Sequence, residues 1–191
     1  MLFTTRHSFF LFAVTVIAPA SLIAQESFPP EFIAEALQRA KSAPDHRVTI
    51  ELNAPIDVVF DTLLMRLADY SDDVKSVAFE QTGATPQPIG VGSERITVLE
   101  SDKTLVQRLV EFDPPRTFAY FTDMQKSEAD LPIDYSIGQY ELTEQDDGTV
   151  RAQISVVLQP SSALTGFVVR RVFNRAMDRD FKRAAAFLNQ N

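Results

Sequence analysis

One predicted strand, residues 104–112, carries the leading candidate for binding an anionic group, Arg108. If side chains alternate regularly along this strand, Arg108 shares its face with three apolar residues, Val106, Val110 and Phe112. An inward Arg108 would then need a carboxylate or an anionic ligand group beside it, because an unpaired buried charge is costly. The alternative leaves Arg108 in solvent and places a different set inward: Leu105, Gln107 and Leu109.

Two tyrosines are further candidates, because each shares a strand face with apolar or small residues. Tyr120 shares its face with Phe118, and Tyr140 shares its face with Gly138 and Leu142. Their rings and hydroxyls suit either the wall of a cavity or ordinary core packing. Gly138 leaves room beside Tyr140 for a ligand or a helix, so we expect Tyr140 to face inward.

Other polar residues carry weaker signals. Arg95 raises the same question as Arg108, but Ile96 and Val98 indicate that it faces outward. Four carboxylates could line the mouth of a cavity: Glu94, Glu100, Asp123 and Asp134. An acid and base pair would require environments that separate two pKa values, and the sequence singles out no such pair.

Metal, thiol and nucleotide chemistry is not indicated. The chain has no cysteine, and His46 is its only histidine beyond residue 24, so neither a zinc site nor a cysteine nucleophile is expected. Gly90 and Gly92 precede a strand rather than a helix, which fits a turn and not a dinucleotide-binding loop. We predict no cofactor and no metal ion, and we favour binding over catalysis.

A long C-terminal helix must position the candidate side chains. Residues 160–188 open with Pro160 and two serines, which suit a helix start. Apolar residues recur at helical spacing in two rows: Leu164, Val168, Val172 and Ala176, and beside them Phe173, Met177, Phe181, Ala184 and Leu188. We expect this apolar face to lie on a sheet. The opposite side is basic, and it either pairs with the acidic body or contacts an anionic surface: Arg170, Arg171, Arg175, Arg179, Lys182 and Arg183.

The sheet is predicted from short segments with alternating apolar residues or turn signals between them. These are residues 47–53, 74–81, 93–99, 104–112, 117–122, 135–143 and 149–158. Helices are predicted at residues 30–41 and from Pro55, followed by a short helix or turn at residues 67–73. Strands in series with helices grouped at the two ends predict an α+β domain built on an antiparallel sheet.

The N-terminus is typical of a secretory signal peptide. Arg6 precedes an apolar run at residues 9–18, and Pro19 and small residues follow. We expect cleavage after Ala24, with Ala20 as the alternative, and therefore a secreted or periplasmic protein. An uncleaved anchor is the other possibility, although the run is short for a bilayer span. The net charge of −8 disfavours general binding to nucleic acid.

Several weak motifs, taken in order, resemble the START-like helix-grip superfamily (SRPBCC), in particular its polyketide cyclase/dehydrase-like branch. The first strand runs into Asn53-Ala54-Pro55 at a helix start, and Gly90-Val-Gly-Ser-Glu-Arg95 precedes another strand. Residues 108–120 then read Arg-Leu-Val-Glu-Phe-Asp-Pro-Pro-Arg-Thr-Phe-Ala-Tyr. The resemblance places the domain at residues 46–191. Residues 25–45 form an extension whose helix would cap a cavity, cover the sheet or tether a partner.

The resemblance implies a curved sheet that grips the C-terminal helix around an elongated apolar cavity. Members of the superfamily bind lipids, hormones or polyketides, and some catalyse cyclisation or dehydration. We therefore expect a protein that holds an apolar or amphipathic small molecule. The expected binding residues are Arg108, Tyr120 and Tyr140 from the strands and Phe173, Met177 and Phe181 from the helix. A cyclase or dehydratase using the same cavity, and a structural domain without a ligand, are the alternatives.

Overall fold

The computed structural model describes residues 28–80 and 88–190, so the predicted signal peptide lies outside the described residues. The helices within this part of the chain are α1 (Pro30–Ser42), α2 (Ile56–Met65) and α3 (Gly166–Leu188), with a 3-10 turn at Leu67–Asp69. The strands are β1 (His46–Leu52), β2 (Val74–Phe79), β3 (Glu94–Leu99), β4 (Thr104–Asp113), β5 (Thr117–Asp123), β6 (Ile133–Glu144) and β7 (Val150–Pro160).

The seven strands form one antiparallel sheet in the order β1-β7-β6-β5-β4-β3-β2. β1 and β2 are consecutive in the sequence but lie at opposite edges, so α2 and the 3-10 turn carry the chain between the edges. The β6–β7 reversal is tight, because Asp147 accepts hydrogen bonds from the N–H and hydroxyl of Thr149 and Gly148 adopts a φ of 83°. This arrangement confirms the predicted α+β fold.

The inner face of the sheet, which α2 and α3 cover, holds the main core. On β7, Ala152, Ile154 and Val156 point to this face and are buried. Phe118 on β5 and Leu109 on β4 are fully buried beside them. Burying a large apolar side chain contributes about 1.5–3 kcal/mol to stability, so this face accounts for much of the fold's cohesion.

α3 begins later than predicted. β7 continues through Pro160, which is paired with Ile133, and the N–H of Ser161 donates to the carbonyl of Pro132 at 3.1 Å. Because these contacts keep the chain extended, the helix starts at Gly166 and not at Pro160. A Cβ at Gly166 would lie 3.4 Å from Cγ of Pro160, so glycine lets the helix start pack closely against the end of the strand.

α3 also buries only one of the two predicted apolar rows. The row that faces the sheet is Phe173, Met177, Phe181, Ala184 and Leu188. In the other row, Leu164, Val168 and Val172 are 97%, 60% and 62% exposed, so the prediction that both rows lie on the sheet is wrong. Val168 and Met177 are about two and a half helical turns apart, which puts them on opposite sides. No described helix, α3 included, is long and apolar enough to cross a membrane.

α1 covers the outer face of the sheet, opposite α3. Its residues Ile33, Ala36 and Ala40 are buried against β6 and β7. An aromatic cluster joins the start of α1 to the sheet, with ring centroids 5.1 to 5.5 Å apart: Phe28, Phe32, Phe121 and Tyr135. The sequence left three roles open for this helix: capping a cavity, covering the sheet or tethering a partner. In the structure it covers the sheet.

Candidate functional site

A cavity of about 620 Å³ lies between the inner face of the sheet and α3. Phe173, Ala176, Met177 and Phe181 form its helical wall. The sheet supplies the opposite wall from β4, β5, β6 and β7: Leu105, Gln107, Tyr120, Thr122, Ser136, Gly138, Tyr140 and Val156. Exposed Ser101 and half-exposed Leu131 also line it, so the cavity reaches the surface beside the β3–β4 turn and the loop before β6.

The structure brings together five of the six predicted site residues around this cavity. Tyr120 and Tyr140 face it from neighbouring strands, and Phe173, Met177 and Phe181 face it from α3. Gly138 lies next to Tyr140 in the wall, where a Cβ would be 3.5 Å from the Tyr140 ring. The missing side chain at residue 138 thus leaves space at this part of the wall.

Arg108 does not line the cavity, because it lies on the outer face of the sheet. Its neighbours there include Phe121, Asp123 and Lys126. Gln107 faces inward instead, so the alternative orientation of β4 is the one observed. Strict alternation predicts that Phe112 shares the face of Arg108, but its ring packs on Phe60 of α2, the helix that covers the inner face.

A β-bulge explains the error in the assignment of β4. The register between β4 and β5 shifts between Leu109 and Glu111, so the alternation of faces changes there. Leu109 and Phe112 therefore both face inward, although strict alternation would put them on opposite faces. A bulge leaves no reliable mark in a single sequence, and the face of Arg108 could not be fixed by counting back from Phe112.

Arg95 is the arginine that lies beneath the cavity, which corrects the prediction that it faces outward. It is 2% exposed. Its Nε and Nη2 donate to Oε1 of Gln107 at 3.1 and 2.6 Å, and its Nη1 donates to the carbonyl of Leu64 at 2.8 Å. The guanidinium carbon lies 3.5 Å from the centroid of the Tyr120 ring. Ile96 and Val98, which suggested the opposite, are half-buried on the outer face.

Gln107 connects Arg95 to the cavity wall through a network of polar side chains. Its Oε1 also accepts a hydrogen bond from the hydroxyl of Thr97 at 3.2 Å, and its Nε2 donates to Oγ1 of Thr122 at 3.1 Å. Arg95 and Gln107 are direct cross-strand partners in the β3–β4 pairing. We call Arg95, Thr97, Gln107 and Thr122 the polar wall. Two polar residues opposite each other on adjacent strands are a signal that sequence reasoning could have used.

The tyrosines beside the polar wall are protonated hydrogen-bond donors. Burial raises the pKa of Tyr120, and Arg95 acts in the opposite direction. Burial likewise raises the pKa of Tyr140 and of Tyr70, a cavity residue that the sequence did not single out. The Tyr120 hydroxyl donates to the carbonyl of Leu64 at 3.1 Å. Tyr70 and Tyr140 can therefore donate hydrogen bonds to an oxygen of a ligand, whereas the hydroxyl proton of Tyr120 is already engaged.

Carboxylates lie near the mouth of the cavity and not in the polar wall. Of the four predicted candidates only Glu100 lines the cavity, whereas Glu94 and Asp123 lie on the outer face and Asp134 is exposed. The unpredicted Asp73 and Asp180 line it as well.

The mouth carboxylates take part in contacts between α3 and the segment after the 3-10 turn. Ser71 donates to Asp180 at 2.8 Å, and Arg179 bridges Asp180 at 2.9 Å and Asp73 at 2.6 Å. We call Ser71, Asp73, Arg179 and Asp180 the clasp.

His46 lies outside the cavity, where its Nε2 is 2.9 Å from Oδ1 of Asp178 on α3. Among the described residues, no group of three or more histidine, aspartate or glutamate side chains is arranged to hold a metal ion. The site therefore consists of an apolar helical wall, a polar wall with a buried cation, and a clasped mouth.

Comparison with known proteins assigns this architecture to a family. The model of the family "Polyketide cyclase / dehydrase and lipid transport" matches residues 44–191. The chain belongs to this family. The match confirms the resemblance to the START-like helix-grip superfamily, and it leaves the whole of α1 outside the matched region. No curated protein is significantly similar to the chain in sequence.

Several solved structures share the fold of this protein although their sequences are only distantly similar to it. XoxI from Bacillus cereus is 14% identical, with a TM-score of 0.57, over 75% of this chain and 94% of that one. Ara h 8.0201 is 14% identical, with a TM-score of 0.55, over 76% and 99%. DynU16, a protein of the dynemicin biosynthetic locus, is 10% identical, with a TM-score of 0.53, and the match covers 74% of this chain and 46% of the DynU16 chain. These likenesses show that the chain shares its fold with the three proteins.

Proposed function

We propose that this protein is exported and holds an apolar or amphipathic small molecule, lipid-like or polyketide-like, in the cavity between the sheet and α3. The observation that carries the proposal is the cavity of about 620 Å³ with a mainly apolar lining. An inner face packed solid by side chains would have excluded a ligand. Cavities of this size and character suit small apolar ligands that carry a few polar atoms.

The polar wall supports a ligand with one oxygen-bearing end. Arg95 is buried among neutral partners, and its charge is therefore not cancelled by a neighbouring carboxylate within the described part of the chain. A carbonyl, phenol or carboxyl group directed at Gln107 and the tyrosines would meet hydrogen-bond donors and a positive potential. The apolar remainder of the ligand would lie along Phe173, Met177 and Phe181.

Mass spectrometry of the protein purified from its native compartment tests the proposal, because it detects any co-purified small molecule. We expect an organic ligand at about one equivalent. Ala176→Trp, which fills the helical wall, should lose it, whereas Ala186→Trp, at an exposed position of the same helix, should retain it. Protein that carries no ligand, and that also leaves the emission of hydrophobic fluorescent dyes unchanged, would overturn the proposal.

Export rests on the sequence of residues 1–24. Cleavage after Ala24 would give a mature chain that begins at Gln25, only a few residues before α1. The intact mass of the protein from the culture medium or periplasm measures this directly. A mass that includes residues 1–24, with the protein held in the membrane fraction, would favour the uncleaved anchor instead.

A cyclase or dehydratase is the second candidate, and the placement of Arg95 beneath Tyr120 favours it. A cation and tyrosine donors beside a cavity can polarise a ligand carbonyl, which promotes loss of a neighbouring proton. The carboxylate acceptor would come from the mouth, where Asp180 is already engaged by Ser71 and Arg179. Turnover of a poly-β-ketone with release of water would establish this activity, and Tyr140→Phe should abolish it while the protein stays folded. Unchanged turnover in that variant would refute the role of Tyr140.

A further inference from the structure

The beginning of α3 and the turn just before it present apolar side chains to solvent. The exposed fractions of Leu164, Phe167, Val168 and Val172 are 97%, 74%, 60% and 62%. The other exposed large hydrophobic residues of the described chain lie on separate segments, at Val58, Val91 and Leu131, and are 42%, 69% and 39% exposed. A contiguous group of this kind marks an interaction site more often than scattered apolar residues do. We call these four residues the apolar tip.

The arginines of α3 differ in whether the rest of the protein neutralises them. Arg179 pairs with Asp73 and Asp180, and Arg183 pairs with Asp72. In contrast, Arg171 and Arg175 form no ion pair with any residue in the described ranges 28–80 and 88–190. At 100° per residue, these two arginines project from the same side of the helix as Val168. Arg170 pairs with Asp45 at the same end of α3. Arg171 and Arg175 are therefore the arginines beside the apolar tip whose charges the described part of the chain leaves uncompensated.

We propose that the apolar tip, together with Arg171 and Arg175, docks on the interface of a bilayer that contains anionic phospholipid. The apolar side chains would enter the region between headgroups and acyl chains, and the arginines would reach the phosphates while their aliphatic stems stay among apolar neighbours. The negative net charge of the whole chain would be repelled by such a surface, so docking would be confined to this face.

The shape and charge of the face favour a bilayer over the other possible occupants. A second copy of the chain, docked through the same face, would bring Arg171 and Arg175 close to their own counterparts, and like charges would oppose the contact. An acidic protein would need a groove that matches a convex helix, whereas a fluid interface accepts a convex surface without one. The high exposure of Leu164 and Phe167 is what insertion into such an interface requires.

Docking would place the cavity next to the bilayer. Phe173, Ala176 and Met177 line the cavity from the other side of the same helix. The inference nevertheless goes beyond the proposed function and does not depend on it, because the outer side of α3 would bind lipid whether the cavity is filled or empty.

A tryptophan placed in the apolar tip tests the inference directly. The chain has no tryptophan, so Phe167→Trp introduces a single reporter into the otherwise unchanged protein. With vesicles of phosphatidylglycerol that carry brominated acyl chains, we expect a blue shift and quenching of its emission. The matched control is Val91→Trp, at a position 69% exposed and remote from α3 in sequence, whose emission should not change.

Removing the two arginine charges tests the choice of an anionic lipid. In the Phe167→Trp protein, Arg171→Gln with Arg175→Gln should lower the vesicle partition coefficient about 30-fold, since each arginine near an anionic surface contributes a factor of about five. Arg151→Gln, at an exposed arginine of β7, should leave it unchanged.

Emission of the Phe167→Trp protein that vesicles leave unchanged would overturn the proposal. So would equal quenching of the reporters at residues 167 and 91, or quenching that depends neither on lipid charge nor on Arg171 and Arg175. A spectral shift only with an acidic protein would likewise reject the bilayer and assign the face to a protein partner.

Discussion

Arg95 keeps a positive charge inside the domain with help from oriented dipoles. The carbonyl of Leu64, which accepts hydrogen bonds from Arg95 and Tyr120, belongs to the last turn of α2. The C-terminal end of a helix carries a partial negative charge, so this carbonyl is a better partner for a cation than an isolated amide. Dipoles of this kind satisfy the hydrogen bonds of the guanidinium but leave its net charge to act on the cavity.

Replacing Arg95 should change which ligands the cavity prefers. We expect Arg95→Met to weaken binding of a fluorescent polyene fatty acid about tenfold while its methyl ester is affected much less. The reason is that a buried charge beneath the cavity attracts a carboxylate by about 1.5 kcal/mol at a separation of about 10 Å and an effective dielectric constant of about 20. Fluorescence titrations of the acid and the ester give the ratio of the two affinities. Arg108→Met, on the outer face, is the matched control and should leave that ratio unchanged. Equal weakening of the acid and the ester would show that Arg95 acts only through stability.

Residue types and alternation identified the aromatic parts of the site but not its cation. Tyr120 and Tyr140 lie on regularly alternating strands, so their inward orientation follows from the period of two. Arg108 was misassigned because a bulge interrupts β4, and Arg95 because apolar residues occupy the outer face of β3. Apolar residues were also a poor guide on both strands, since each face of this sheet is at least partly covered and apolar side chains do not identify the inner one.

At the scale of secondary-structure elements, the clasp connects α3 to the segment after the 3-10 turn at the cavity mouth. Arg179 and Asp73 are both substantially exposed, and ion pairs of exposed residues contribute about 0–1 kcal/mol to stability. The clasp therefore restrains the mouth without contributing much to the folded state.

Weakening the clasp should speed ligand exchange with little loss of stability. We expect Arg179→Met to raise the dissociation rate of a bound fluorescent fatty acid about three- to fivefold, because removing a contact of up to about 1 kcal/mol lowers the opening barrier by a similar amount. Stopped-flow displacement measures the rate. Lys75→Met, which removes the exposed Lys75–Asp102 pair, should leave the rate unchanged. Identical rates in both variants would mean that the clasp does not gate the mouth.

α1 should contribute to stability and not to binding. Ile33 is buried between α1 and the sheet, and Ile33→Ala should lower the free energy of unfolding by about 2–5 kcal/mol through lost packing. Urea denaturation measures this change. Ligand affinity, measured where the variant remains folded, should equal that of the wild type because α1 covers the face of the sheet opposite the cavity. A tenfold loss of affinity would contradict this separation.

The order and type of the elements followed from the sequence more closely than their ends. Hairpin signals such as Asp146-Asp147-Gly148, and strict alternation in β7, act over a few residues and are therefore readable locally. The start of α3 depends on the pairing of Pro160 with Ile133, and the choice of buried apolar row depends on how α3 lies against the sheet. Neither is a local property.

For the whole molecule, pH should affect stability mainly at the alkaline end. Burial raises the pKa of Tyr70, Tyr120 and Tyr140, so above pH of about 10 the unfolded chain releases protons that the folded protein retains. The free energy of unfolding should then fall with rising pH, by up to about 4 kcal/mol per pH unit for three such groups.

Denaturation curves between pH 8 and 12 measure how the free energy of unfolding changes with pH. Below about pH 9 these tyrosines should cause almost no change, because they are protonated in both the folded and the unfolded chain. Tyr140→Phe removes one of the three groups and should reduce the alkaline slope by about 1.4 kcal/mol per pH unit. A slope that is the same in the wild type and this variant would show that Tyr140 titrates normally in the folded protein.

The edge position of β1 has a consequence for when the chain can fold. β1 pairs with β7 along its whole length, and the carboxylate of Asp45 also accepts a hydrogen bond from the N–H of Leu158, 113 residues further on. Contacts this distant in sequence are slow to form, because the intervening chain must first be ordered. The first strand thus has no partner until the last strand has been synthesised. This edge of the sheet therefore cannot close before β7 is complete, and a chain that ends before β7 would leave β1 without a strand to pair with.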